Sequence, residues 1–331
     1  MTEVIKPANL NDIYRNIQED LDAVENHLQK IGSSPNPLID EINKYLFEKS
    51  GKRIRPACLI FCSRLCGYKG PDHVFWSALV EIVHTASLIH DDIVDNARLR
   101  RGRDTVHTRW GPNITVLLGD FLYIQSIALA LRAKNHNIND ILAEVTVQMI
   151  EGELVEYSTS GNPDLTEDLY LEILDKKTAQ LFSASCRIGG VLAGAAAEEE
   201  QRLREFGQNL GLAFQIVDDL LDLTGDEATL GKPVLSDFRE GRITLPLIHA
   251  LRRAKGNARD ELLHLLKNRT TEKNAAKKIL GHIASSGGLD YAFERAVAFS
   301  QKAKKALAAF PSSTYRESLN LMVDLILQRN K

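Results

Sequence analysis

Two copies of one acidic motif constrain this chain more than any other feature. Asp91-Asp92-Ile93-Val94-Asp95 and Asp218-Asp219-Leu220-Leu221-Asp222 share the spacing Asp-Asp-x-x-Asp, and each follows a largely apolar run with helical period. A helix turns about 100° per residue, so Asp91 and Asp95, at i and i+4, stand on one face. Like charges at that spacing repel by roughly 0.2–0.5 kcal/mol even in water. A solvated helix end is the plain reading of either copy alone. Here Ile93, Val94 and most of the stretch from Ile82 to Ile89 are apolar, so the carboxylates end a buried helix. Such a cluster needs a counter-cation, and all-oxygen donors suit Mg²⁺, which binds through one or two carboxylates together with substrate phosphates. The recurrence of the motif, with arginines at 98, 100 and 101 behind the first copy, points to a magnesium–diphosphate site.

The rest of the chain reads as helix, with no convincing alternating strand. Helices are expected over 9–31, 38–49, up to 67, 72–95, 113–133, 138–158, 166–194 and 199–224. Five more run from 244 to 329, and loops span 97–112 and 224–237. Short Gly/Pro/Asn/Asp breaks and no long linker predict one all-α domain over 1–331. A chain of 331 residues at 44% hydrophobic can bury a large core. A net charge of −3 offers no basic excess for neutralising phosphates, which argues against nucleic acid. The start, Met1-Thr-Glu-Val-Ile, has no charged and then apolar leader pattern, and no run reaches the ~18 apolar residues of a spanning helix. A soluble, cytoplasmic chain without a transmembrane segment is the expectation. Cys58, Cys62 and Cys66 fall on one helix face among Leu, Ile and Phe, where free cysteine packs as a small hydrophobe.

The helices leading into both motifs are apolar round much of their circumference, which places them in the interior. The motifs then sit at the mouth of a central cavity, a charged rim above an apolar shaft. An amphiphile with a phosphorylated head and a hydrocarbon tail fits that shape. Other residues are ambiguous by themselves. Lys52, Arg53 and Arg55 in Gly51-Lys-Arg-Ile-Arg-Pro56 read equally as a solvated turn or an anion site. His84 alone reads as a core histidine, and Lys176-Lys177-Thr178 as a polar helix face.

Taken together, Gly51–Pro56, Asp91–Gly102, Lys177-Thr-Ala179, Phe214–Asp222 and Gly231-Lys-Pro-Val-Leu-Ser-Asp-Phe-Arg-Glu-Gly-Arg-Ile-Thr-Leu-Pro246 resemble the trans-isoprenyl diphosphate synthases. The likeness runs nearly end to end and is strongest to the long-chain polyprenyl diphosphate synthases. It implies the isoprenoid synthase fold, a single large helix bundle around a deep central cavity, usually as a homodimer. It implies isopentenyl diphosphate and an allylic diphosphate (farnesyl or geranyl) as substrates, three Mg²⁺ ions, and transient membrane contact for product release. Asp91, Asp95 and Asp218 resemble the metal ligands. Arg100, Lys177 and Lys232 resemble the cations that grip the allylic diphosphate. Lys52, Arg55, His84 and Arg101 resemble the isopentenyl diphosphate site. Thr178 and Gln215 resemble the residues whose oxygens face the developing carbocation.

Ala86 and Ser87, a turn upstream of Asp91, should face the shaft, where short-chain relatives carry an aromatic floor. Each further turn opens about 5.4 Å of shaft, and by resemblance the product is about C30–C50. The alternatives are a short-chain farnesyl or geranylgeranyl synthase and a non-catalytic regulatory subunit. A terpene cyclase normally lacks the second motif and the Gly-Lys-x-x-Arg segment. A di-iron carboxylate bundle needs Glu-x-x-His pairs, which Glu151 and Glu153 do not supply.

Overall fold

In the computed structural model of the protein, which describes residues 9–48, 51–100, 102–225, 235–268 and 273–328, the helical periodicity becomes a bundle. Its helices are α1 Leu10–Tyr14, α2 Gln18–Gly32, α3 Pro37–Phe47, α4 Ile54–Leu65, α5 Asp72–Val94, α6 Val106–Trp110, α7 Pro112–Arg132 and α8 His136–Thr159. They continue as α9 Glu167–Leu174, α10 Gln180–Ala193, α11 Ala197–Thr224, α12 Ser236–Glu240, α13 Leu245–Arg253, α14 Asn257–Asn268, α15 Lys273–Ser286, α16 Gly288–Leu307 and α17 Thr314–Gln328. Local chemistry sets many of the starts. Asn36 caps α3 by accepting from the Leu38 amide, with Pro37 in the first turn. Asn135 caps α8 and Thr166 caps α9 in the same way. At its far end α10 stops on Gly194, at φ +67°.

The centre is formed by α4, α5, α10 and α11. Eight consecutive residues of α4, Pro56 to Ser63, are buried, so no side of that helix meets water. Cys58 and Cys62 lie in this core, as the packing reading expects, together with Cys186, while Cys66 at the C-cap of α4 is only half-buried. α11 runs along α10 and α16, and α5 along α7 and α2. Where α11 passes the segment before α10, Gly211 leaves room for backbone contact: a Cβ there would come within 2.5 Å of the Ala179 Cα.

Most helix boundaries fall within about three residues of those expected from periodicity. Several features differ. The stretch 166–194 is interrupted by a π-helical turn, Asp175–Ala179, between α9 and α10. One extra residue in a turn leaves the apolar pattern on either side intact, so periodicity does not reveal it. The 97–112 loop contains a two-residue hairpin, Leu99–Arg100 against Arg103–Asp104, with Leu99 opposite Asp104. It also contains α6, and α12 follows the second motif; both are too short to leave a period.

Finally, α7 is apolar and long enough to cross a membrane by length and composition, although Asp120, Gln125 and Ser126 keep it from being an unbroken apolar run. Its alanines, leucines and isoleucines are spread all round, and only 33% of the apolar window is buried. Leu117, Ile124, Ile127 and Leu131 on α7 are exposed, as are Val147, Ile150, Leu154 and Tyr157 on the adjoining α8.

Candidate active site

The two acidic motifs end up facing each other. Asp91 and Asp95 close α5, and Asp218 and Asp219 sit near the end of α11; all four line one cleft. Leu88, Ile173 and Leu174 supply apolar wall, while Thr178 and Gln215 lie beside the aspartates. Six carboxylates, those of Asp91, Asp95, Glu156, Asp218, Asp219 and Asp237, line this cleft against three cations, Arg100, Lys177 and Arg242. The excess of buried negative charge registers in Asp91. Burial pushes its carboxyl up to about 7; Lys177 pulls the other way, and Glu153 and Asp95 add to the rise. A site of this composition favours further positive charge, and its oxygen-only donors fit a hard divalent cation. Among the described residues, no three carboxylates already converge at metal-ligand spacing. The protein's own cations stand between them instead.

Lys177 is delivered by the π turn. Its Nζ lies 2.7 Å from Glu153 and 2.5 Å from Glu156 of α8. Burial alone would lower its pKa, but Glu156 and Glu153 hold it well above the usual lysine range. The approach of α8 to this turn depends on Gly152, where a Cβ would sit 2.8 Å from the Lys177 amide nitrogen. Lys176 points elsewhere, to Glu151 and Glu172, as expected of the ordinary member of the pair.

Arg242 spans the cleft. It lies 3.3 Å from Asp95 of the first motif and 3.5 Å from Asp237, which follows the second, and it also pairs with Glu240. Asp222 turns away from the cleft: it accepts from the Ser236 hydroxyl and the Asp237 amide and so ties α12 to α11. Asp92 likewise turns aside, to Arg100 at 2.6 Å.

The Gly51–Pro56 cations separate. Lys52 is exposed. Arg53 belongs to neither expected reading: it is 7% exposed and bridges Glu25 at 2.5 Å and Glu81 at 2.6 Å. Arg55 does meet His84, with Nη1 3.0 Å from the imidazole Nε2, and its guanidinium lies over Phe182 at 4.4 Å. Among the described residues its Nε meets no partner, and burial lowers its pKa to about 10, so it remains a cation at neutral pH. A neighbouring depression, lined by Arg53, His84, Asp92 and Arg103, adjoins the cleft through Leu88 and Arg100, which line both.

Ala86 and Ser87 do not line the cleft. Ala86 is fully buried, and the Ser87 hydroxyl donates to the His84 carbonyl. Arg101 and Lys232 lie outside the described residues.

The sequence profile of the polyprenyl synthetase family matches residues 36–283. The chain belongs to the polyprenyl synthetase family. This polyprenyl synthetase is 33% identical to the octaprenyl diphosphate synthase of Escherichia coli over 98% of its own length and 100% of that protein. Its structure is similar to a decaprenyl diphosphate synthase from Rhodobacter capsulatus, with TM-score 0.93 and 36% identity over 98% of this chain and 100% of that one. It is equally similar to a polyprenyl synthase from Caulobacter crescentus complexed with calcium and isoprenyl diphosphate, with TM-score 0.93 and 35% identity over 98% and 99%. The all-α fold of the isoprenoid synthases and prenyltransferase activity follow for this polyprenyl synthetase, in agreement with the sequence reading.

Reading the sequence overlooked three participants: Glu153, Glu156 and Arg242. Glu153 had a signal, since Glu-Gly-Glu at 151–153 places a carboxylate beside a glycine that permits close packing. Arg242 had a weaker one, its place in the Gly231–Pro246 segment.

Proposed function

We propose that this polyprenyl synthetase joins isopentenyl diphosphate head-to-tail to an allylic diphosphate, farnesyl or geranyl, and repeats the step to build a long all-trans polyprenyl diphosphate. The observation that carries this reading is the convergence of both Asp-Asp-x-x-Asp motifs, Lys177 and Arg100 on one cleft. Asp91, Asp95 and Asp218 would hold Mg²⁺, three ions in all, which when bound neutralise the departing diphosphate as Lewis acids. Arg100 and Lys177 bind the same leaving group, joined by Lys232. Holding an acceptor diphosphate near Arg55, His84, Lys52 and Arg101 sets its double bond against the allylic carbon. Arg55 suits this role because it is a half-buried cation whose buried Nε meets no partner among the described residues. Thr178 and Gln215 orient oxygens toward the carbon that becomes electron-poor, and the proton lost after attack passes to the released diphosphate.

The whole chain, 1–331, acts as one domain in this reading. The exposed apolar side chains of α7 and α8 support a homodimer, since two such faces would cover each other. It works in the cytoplasm, touching the membrane only to release product. Incubating the purified chain with farnesyl diphosphate, isopentenyl diphosphate and Mg²⁺, then separating the products, tests the proposal: successive five-carbon additions are expected, and no elongation refutes it. One observation favours a second reading, a short product: neither Ala86 nor Ser87 lines the cleft. The same chromatogram decides between them.

A further inference from the structure

A chain of three hydrogen bonds runs along the cleft wall from Tyr170 through Asp219 and Gln215 to Thr178. The Tyr170 hydroxyl, on α9 just before the π turn, donates to Asp219 Oδ2 at 2.6 Å. Gln215 Nε2 donates to Asp219 Oδ1 at 3.0 Å. Thr178 Oγ1 donates to Gln215 Oε1, also at 3.0 Å. Tyr170 and Asp219 are 4% and 5% exposed, so neither turns out to water.

The two ends of a glutamine amide are chemically opposite. Its NH₂ only donates and its oxygen only accepts, while a carboxylate only accepts. With Asp219 beside it, the amide therefore has one satisfied orientation: NH₂ toward Asp219, oxygen toward Thr178 and the cleft. The reverse would set two oxygens against each other in a buried site, where an unmet acceptor costs about 1–3 kcal/mol. Asp219 itself is held by Tyr170 at its other oxygen, so its carboxylate cannot swing away.

We propose that Asp219 and Tyr170 are positioning residues that keep the Gln215 side-chain oxygen, rather than its NH₂, turned toward the allylic carbon as positive charge develops there. The inference rests on the prenyl-transfer reading above and adds to it. An amide oxygen presents the negative end of its dipole to a cation, whereas the NH₂ presents the positive end. The second aspartate of the second motif thus acts through Gln215.

Asp219→Asn tests this directly in the full-length enzyme. An asparagine at 219 can donate or accept, so the Gln215 amide is no longer forced. Single-turnover kcat with farnesyl and isopentenyl diphosphates should fall about ten- to a hundredfold, less than the ~10²–10³ for losing a preorganised dipole outright. KM for both substrates, and calorimetric binding of Mg²⁺ with inorganic pyrophosphate, should stay within about twofold. The double variant Asp219→Asn/Gln215→Glu should recover much of the lost kcat. A carboxylate at 215 forces the asparagine to donate and leaves an oxygen facing the cleft. Tyr170→Phe, which keeps the ring and its packing, should lower kcat several-fold with the same unchanged KM.

An Asp219→Asn kcat near wild type overturns the proposal, as does a double variant no better than the single. So does a loss traced to weaker Mg²⁺–pyrophosphate binding, or unfolding of Asp219→Asn together with a fully active Tyr170→Phe. A wild-type chain that elongates nothing overturns the prenyl-transfer reading instead, so the two failures are told apart.

Discussion

Replacing Ala86 by tyrosine puts the product-length argument at direct risk. Ala86 lies five residues before Asp91 on α5 and is fully buried. At about 1.5 Å per residue its Cα stands about 7.5 Å along the helix axis from that of Asp91, the first of the proposed metal ligands, about 1.4 turns below the rim. A tyrosine ring at that depth would cap a growing tail after the first additions, if the tail passes there. The same substitution reads out packing. Forcing extra volume into a filled core costs about 1–3 kcal/mol, whereas a ring entering a hollow costs much less. The assay pairs product chromatography with thermal melting of the purified variant. The expected result is a sharp shift to the shortest products, with a melting temperature lowered by overpacking of a fully buried position. An unchanged chain-length distribution together with a lowered melting temperature would show that Ala86 is ordinary core. The shaft would then run past other helices. The apolar part of the cleft's α5 wall is Leu88, and neither Ala86 nor Ser87 lines it.

Asp91→Ala and Asp218→Ala should each lower turnover by at least about 10²-fold at saturating Mg²⁺ while leaving the far-ultraviolet circular dichroism unchanged, since each removes a repelling charge from an acidic cleft; near-normal turnover in either would contradict the metal assignment. Arg53→Ala should destabilise the fold by about 3–5 kcal/mol in denaturant unfolding, because it strands two carboxylates, Glu25 and the buried Glu81; a loss under about 1 kcal/mol would mean that neither depends on this bridge. Asp20 is expected to shape the acid limb of stability. Burial would raise its pKa, but a hydrogen bond from His73 and the charges of His73 and Arg64 bring it below 3.8. A depressed carboxylate stabilises the fold above its unfolded pKa and loses that contribution as pH falls through the folded value. Asp20→Asn should therefore flatten the stability-versus-pH curve below about pH 4, and an unaltered acid limb would assign acid unfolding to other groups.

Much of this site was legible in the amino-acid order, and the particular residues show why. The aspartate repeat is a local pattern on a helix, and helical period projects onto sequence without knowledge of the fold. The same holds for the apolar helices that carry it. Lys177 and Thr178 could be named from their resemblance to a family, although not placed. The shaft was expected from the apolar helices, and Ala86 and Ser87 were placed on it by helix geometry, yet neither residue lines the cleft.

What the chain determined by itself, then, is its all-α class, its helices to within a few residues, and the acidic oxygen donors from which a hard divalent cation is proposed. What only the tertiary structure decided is who faces whom. Glu153 and Glu156 hold Lys177 because a π turn, invisible to periodicity, aims the lysine at α8 and Gly152 lets the backbones meet. Arg242 reaches Asp95 from 147 residues away. Arg53 and Arg55, two positions apart in one basic run, part company, one into a buried ion bridge and one beside His84. Charge and periodicity are properties of a segment, whereas the partner of a buried charge depends on distant segments packing closely enough to exclude water.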